Sequence, residues 1–258
     1  LPLIASSIMS KKIAAGAQRI LLDVKSGVGA FMQTVEEARQ LAQIMVEIGG
    51  LAGRQAVALL SDMNQPLGYA VGNALEVKEA IETLHGGGPA DFREHCLEVA
   101  EQMLILGEAA KTEAEARQKA EAVIADGSAW QHFRQLVAAQ GGDLAYVDDP
   151  EKLPKASLIE TIPATRSGYL KGIHAREVGE TAVEMGAGRA KKGQPIDHAV
   201  GIIIHHKVGD YVESGAELFT LHAKDQSTFD AAKTRLLAAH TWSDEPVPPL
   251  PHSYGLVK

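Results

Sequence analysis

Apolar residues recur along this chain with two different periods, and the switches between them divide it. Over residues 1–16, Ile4, Ile8 and the pair Met9/Ile13 return at helical spacing, and Gly16 stands where a helix ends. Arg19-Ile20-Leu21-Leu22-Asp23-Val24 is a short apolar run suited to a buried strand, followed by the flexible loop Ser26-Gly27-Val28-Gly29. Thr34 and Glu37 have the spacing of a capping box. Behind them Ala38, Leu41, Ala42, Met45 and Ile48 make one apolar stripe that stops at Gly49-Gly50. Residues 55–60 predict a second strand, with Ser61-Asp62-Met63-Asn64 at its C-terminal end. Asn73 is placed to cap a helix whose inner face carries Val77, Ala80, Ile81 and Leu84, ended by Gly86-Gly87-Gly88.

Strand, helix, strand, helix with short links predicts an α/β fold, a parallel sheet with flanking helices. Ligands of such sheets lie beyond the strand C-termini, here the loops 25–29 and 61–72. Residues 91–140 read as helical throughout. Gly141-Gly142 breaks that pattern, and residues 148–154 read as a linker. Beyond it, short β-type runs at 156–162, 168–173, 201–204 and 218–221 alternate with Gly-rich turns. Val208-Gly209-Asp210-Tyr211-Val212, followed by Gly215 and Leu218, has the spacing of a hairpin. A last helix over 228–239 precedes a Pro-rich tail. The expected organisation is a helical segment (1–16), an α/β domain (17–150) and a C-terminal α+β domain (155–258).

Composition narrows the function. The 258 residues are 45% hydrophobic and 22% charged, the balance of a globular chain with an ample core. Lys+Arg 25 against Asp+Glu 33 gives a net charge of −8, and no basic run exceeds two residues, which argues against nucleic acid as a partner. No apolar run reaches the roughly 18–20 residues of a membrane span. Residues 1–9 lack a basic leader and precede Lys11-Lys12, the wrong order for secretion. With Cys96 alone there is no intrachain disulfide, and a cytoplasmic location is expected. The chain starts at Leu1 inside a helical pattern and reads as the C-terminal part of a longer protein.

Three groups of residues offer chemistry. Ser7 and Lys11 are four apart, so a hydroxyl and an ammonium share one helix face. They are either two donors for a planar ligand edge bearing carbonyls or ordinary residues of a solvated face. Asp23-Val24-Lys25-Ser26-Gly27-Val28-Gly29 puts two charges and glycines at a strand end, which serves an anion or simply a tight turn. Glu79 follows the loop Gln65-Pro66-Leu67-Gly68-Tyr69-Ala70; carbonyls with one carboxylate suit a hard cation, while a solvated carboxylate is the plain alternative. Cys96, on a helix with Phe92, Val99 and Met103, is expected in the core. The adjacent His205-His206 point to opposite strand faces and are expected at the surface.

At these residues the chain resembles the thymidine/pyrimidine-nucleoside phosphorylase family. The matching stretches are Leu3-Ile4-Ala5-Ser6-Ser7-Ile8-Met9-Ser10-Lys11-Lys12, Asp23-Val24-Lys25 with Gly27, and Gly29-Ala30-Phe31-Met32. They continue in Asp62-Met63-Asn64-Gln65-Pro66-Leu67-Gly68-Tyr69-Ala70-Val71-Gly72-Asn73-Ala74 and Met185-Gly186-Ala187-Gly188-Arg189. The stretch over 62–74, with Glu76-Val77-Lys78-Glu79-Ala80, resembles the bacterial pyrimidine-nucleoside branch. The resemblance implies reversible phosphorolysis of uridine or thymidine to a free base and a pentose 1-phosphate. It implies that Ser7 and Lys11 bind the base, that the carbonyls of Leu67 and Ala70 with Glu79 hold a potassium ion, and that phosphate is the co-substrate. A helical domain hinged to an α/β domain, a hammerhead-like C-terminal domain and a homodimer are also implied. The family's phosphate loop, its catalytic histidine and the arginine that joins Ser7 and Lys11 at the base belong upstream of Leu1, so the isolated chain is expected to be inactive. The alternatives are a phosphoribosyltransferase of related fold and a non-catalytic binding or carrier-like fragment.

Overall fold

A computed structural model describes residues 1–189 and 191–258. In chain order the elements are α1 (Pro2–Ala14), β1 (Arg19–Ser26), α2 (Val35–Leu51), β2 (Gln55–Asp62), β3 (Ala70–Val71), α3 (Asn73–Leu84), α4 (Ala90–Leu106), α5 (Glu113–Ala125), α6 (Ser128–Ala139) and α7 (Ala145–Asp148). There follow β4 (Leu158–Pro163), β5 (Gly168–Ile173), α8 (Ala175–Ala182), β6 (Gly201–Ile204), β7 (Tyr211–Val212), β8 (Glu217–Ala223), α9 (Gln226–Ala239), β9 (His240–Ser243) and β10 (Ser253–Val257). They form two compact units: Leu1–Asn64 with Asp91–Ala122 and Pro251–Lys258, and Gln65–Ala90 with Val123–Leu250.

The first unit is built on the parallel pair β1–β2, in register from Arg19↔Gln55 to Ser26↔Asp62. β1 alternates: Ile20, Leu22, Val24 and Ser26 are buried, while Asp23 and Lys25 share the opposite face. Thr34 opens α2 with a complete capping box, its hydroxyl accepting from Glu37 N and Glu37 reaching back to the Thr34 amide. The stripe Ala38, Leu41, Ala42 and Met45 is buried, and with Ala5 and Met9 of α1 it covers one face of the sheet. The third strand comes from the Pro-rich tail: β10 runs antiparallel to β2 and contributes Val257 and Tyr254 to this core. The parallel pair therefore carries an antiparallel neighbour, and the sheet order is β1-β2-β10.

The second unit holds two antiparallel sheets, β3-β6-β8-β4 and β7-β5-β9, around Leu170, Ile173, Met185, Ile202, Ile204, Leu218, Phe219, Leu221 and Leu236. The boundary drawn near residue 150 falls inside this unit, because β3 pairs with β6 and brings 65–90 into it. The hairpin expected over 208–218 does not form. β7 pairs with β5 and β8 with β4 and β6, so the turn after β7 carries the chain from one sheet to the other. In α3 the buried residues are Ala74, Leu75, Ile81 and Thr83, and Val77, assigned to the inner face, is 37% exposed. Gly72 occupies the N-cap in place of Asn73, whose side-chain amide donates to Ala187 O at 2.9 Å. Among the described residues no helix is long and apolar enough to cross a membrane.

Candidate functional site

In the first unit, packing orients α1. Ala5 and Met9 are buried, which turns Ser7 and Lys11 outward to solvent. A helical side chain leans back over the preceding turn, and Lys11 Nζ accordingly stands 2.6 Å from Ser7 O and 3.1 Å from Ser7 Oγ. The structure thus brings the two sequence-selected donors together on an open face, an ammonium beside a hydroxyl. That pair can offer one charged and one neutral hydrogen bond to adjacent acceptors on a flat ligand.

The loop after β1 spends its amides internally. Gly27 N donates to Met32 O at 3.0 Å, Val28 N to Asn64 Oδ1 at 3.2 Å, Gly29 N to Met63 O at 2.9 Å and Ala30 N to Gly27 O at 3.0 Å. Gly27 has φ +131°, and a Cβ there would lie 2.7 Å from Asn64 N, so glycine is required for the close passage of two backbones. Of the two readings of this stretch, the tight turn is the one realised.

The charges beside that loop form a network the sequence did not disclose in full. Asp23 Oδ2 accepts from Lys25 Nζ and from His95 Nε2, each at 2.8 Å, and Asp23 Oδ1 accepts from Ser61 Oγ. The same His95 Nε2 lies 3.1 Å from Lys25 Nζ, so imidazole, ammonium and carboxylate meet at one point. Burial alone would raise the Asp23 carboxyl; the bonds from His95, Lys25 and Ser61 and the Lys25 charge overrule it and hold the group far below the usual carboxylate range. Asp23 and Lys25, two apart on a strand, were a usable signal. His95, on a helix 72 residues away, had none. α4 turns His95, Leu97 and Gln102 inward, so Cys96, expected in the core, is exposed, and Met103 is 59% exposed.

In the second unit, the loop 65–70 wraps the carboxylate of Glu79. Glu79 Oε1 accepts from Tyr69 N at 2.7 Å and Ala70 N at 2.9 Å, so this half-buried group is not merely solvated. Gly68 turns the loop with φ +70°, and a methyl there would collide with Glu79 Oε2. On the same loop, Lys207 Nζ donates to Pro66 O at 2.7 Å and to Gly68 O, and lies 5.3 Å from the Tyr69 ring centre. Val208 N donates to Gln65 Oε1 at 2.8 Å. Loop carbonyls beside a carboxylate are oxygen donors suited to a hard monovalent cation, and the loop already receives one unit of positive charge from Lys207. Lys207 is 139 residues from Gly68, beyond the reach of any local sequence signal. His205, expected at the surface, is half-buried with Nε2 2.8 Å from Thr220 Oγ1, and burial lowers its pKa.

Residues 1–130 match the family model described as "Glycosyl transferase family, a/b domain", and 169–243 match "Pyrimidine nucleoside phosphorylase C-terminal domain". The chain belongs to this glycosyl transferase family. It is 54% identical over 230 residues to the pyrimidine-nucleoside phosphorylase of Geobacillus stearothermophilus, covering 89% of this chain and 53% of that protein. The enzyme of the same name from Bacillus subtilis is 54% identical over 227 residues, 88% of this chain and 52% of its own length. That of Staphylococcus aureus is 47% identical over 249 residues, covering 96% and 57%. The chain spans about half the length of the curated relatives it matches.

Proposed function

We propose that the protein to which this chain contributes is a pyrimidine-nucleoside phosphorylase, splitting uridine, deoxyuridine or thymidine with phosphate into the free base and a pentose 1-phosphate. The observation that carries the reading is the Ser7–Lys11 pair: two donors one helical turn apart on the open face of α1, with Nζ 3.1 Å from Oγ, inside the segment matched to the glycosyl transferase a/b domain.

As the glycosidic bond stretches, negative charge builds on the departing base and positive charge on the sugar carbon. Donors that face the base rim strengthen as that charge arrives, which is where binding energy accelerates a reaction. Lys11 supplies charge, and Ser7 supplies a directional bond that fixes the orientation of the base. Leu67 and Ala70, through their carbonyls, together with Glu79 would hold a potassium ion, whose charge would fasten the 65–70 loop. The donor chemistry of that loop and its affinity for the Lys207 ammonium support this. A homodimer is what the family resemblance implies, and a cytoplasmic location fits a chain with one cysteine.

The test uses the whole protein with uridine and phosphate in one arm and uracil with phosphoribosyl diphosphate in the other. Turnover is expected in the first arm only, and Lys11→Ala should lower kcat/KM about 10²-fold, the scale of losing one preorganised donor. Turnover confined to the second arm, or a Lys11→Ala variant as fast as the parent, overturns the reading.

A further inference from the structure

We infer that Lys207 is a tethered competitor of the potassium ion: its ammonium closes the 65–70 loop when potassium is absent, and potassium binds by displacing it. The inference rests on the cation reading above and adds what controls occupancy of the site. Its basis is in the contacts. The loop carries oxygen donors at Pro66 and Gly68, and both are engaged by one ammonium, Pro66 O at 2.7 Å. The same Gly68 packs against the Glu79 carboxylate, whose Oε1 gathers the amides of Tyr69 and Ala70. Carboxylate and ammonium thus grip a single short turn, one through its N–H groups and the other through its carbonyls.

An ammonium and a potassium ion carry the same charge and seek oxygen donors of the same kind: the lysine takes the Pro66 and Gly68 carbonyls, while the ion would take those of Leu67 and Ala70, the alternate positions of the same turn. Two such charges a few ångströms apart repel, and a loop of six residues has no room to keep them distant. The lysine has a standing advantage, because it is covalently attached and its backbone is anchored alongside by Val208 N on Gln65 Oε1 at 2.8 Å. A free cation therefore meets a loop that already carries a positive charge, and its apparent affinity is reduced in proportion to the fraction of molecules in which the lysine has let go. Removing the ammonium reverses both effects: the loop loses its internal clasp and becomes a better receptor for the free ion.

The experiment titrates potassium chloride against choline chloride at constant ionic strength and follows the thermal midpoint of the chain, for the parent, Lys207→Gln and Lys207→Arg. In choline, Lys207→Gln should melt below the parent. On titration it should recover with a half-saturating potassium concentration at least tenfold lower than the parent's, while Lys207→Arg, which keeps the charge, behaves like the parent. Equal half-saturation in parent and Lys207→Gln would overturn the competition but leave the cation site standing. Weaker binding by Lys207→Gln would recast the lysine as a support for the ion and also overturn it. No response in either protein would remove the cation site and this inference together. A Lys207→Gln chain that stays unfolded at saturating potassium would show that the lysine does something potassium does not replace, again overturning the proposal.

Discussion

His95 donates from Nε2 to the carboxylate of Asp23 at 2.8 Å, joining α4 to the C-terminal end of β1. The bond recruits a helix to the strand end where α/β sheets present ligands. It also fixes a charge, because the same oxygen takes Lys25 at 2.8 Å. The depressed Asp23 carboxyl gives this network a definite acid signature. A carboxyl held below its unfolded value of 3.8 contributes stability that is complete above that value and is lost as pH falls through and beyond it. Asp23→Asn should flatten the acid limb of a stability-versus-pH curve and cost about 2 kcal/mol near neutrality, since Lys25 and His95 lose their acceptor. An unchanged acid limb would assign the decline to other carboxylates.

Tyr254 gives the opposite limb. Burial, and then its hydroxyl's bond to Asp62 Oδ1 at 2.7 Å, push the phenol up from 10.0 to about 12. The folded state therefore keeps a proton that the unfolded chain sheds, and stability falls as pH rises between those values. Tyr254→Phe should lessen that alkaline decline, read by chemical denaturation at pH 9 and pH 11. Spectrophotometric titration should show one tyrosine fewer ionising late.

Much of this architecture was legible in the sequence, where neighbours within a turn decide the outcome. The Thr34–Glu37 capping box, the stripe of α2 and the spans of β5 and β6 all follow from local spacing. The misses concern partners far apart in the chain. The pairing of β10 with β2 and of β7 with β5 depends on which edges meet after collapse, and periodicity carries no address for an edge. Ser7 and Lys11 were legible for the first reason, four residues apart on one helix. His95 and Lys207 were hidden for the second.

The capping box allows a quantitative check of that local rule. Thr34→Ala removes the acceptor for Glu37 N and should destabilise the first unit by about 1 kcal/mol. Glu37→Ala in the Thr34→Ala background should then cost less than Glu37→Ala alone, because the two bonds support each other. Strict additivity in a double-mutant cycle would show that they act independently.

Gly68→Ala is expected to unmake the 65–70 loop. The backbone sits at φ +70°, which costs an alanine about 1–2 kcal/mol, and the new methyl meets Glu79 Oε2. The thermal midpoint should fall. Tyr69 and Ala70 amides should also exchange with solvent faster than in the parent, which hydrogen exchange measures directly.

The final strand of the sequence lies beside the second one in space, with the entire second unit synthesised in between. On a ribosome this imposes an order of assembly. Residues 65–90 and 123–250 are all available before β10 emerges, whereas the sheet begun by β1 waits with its β2 flank uncovered until β10 itself has been translated. Within this chain, the first unit is thereby begun before the second and completed after it.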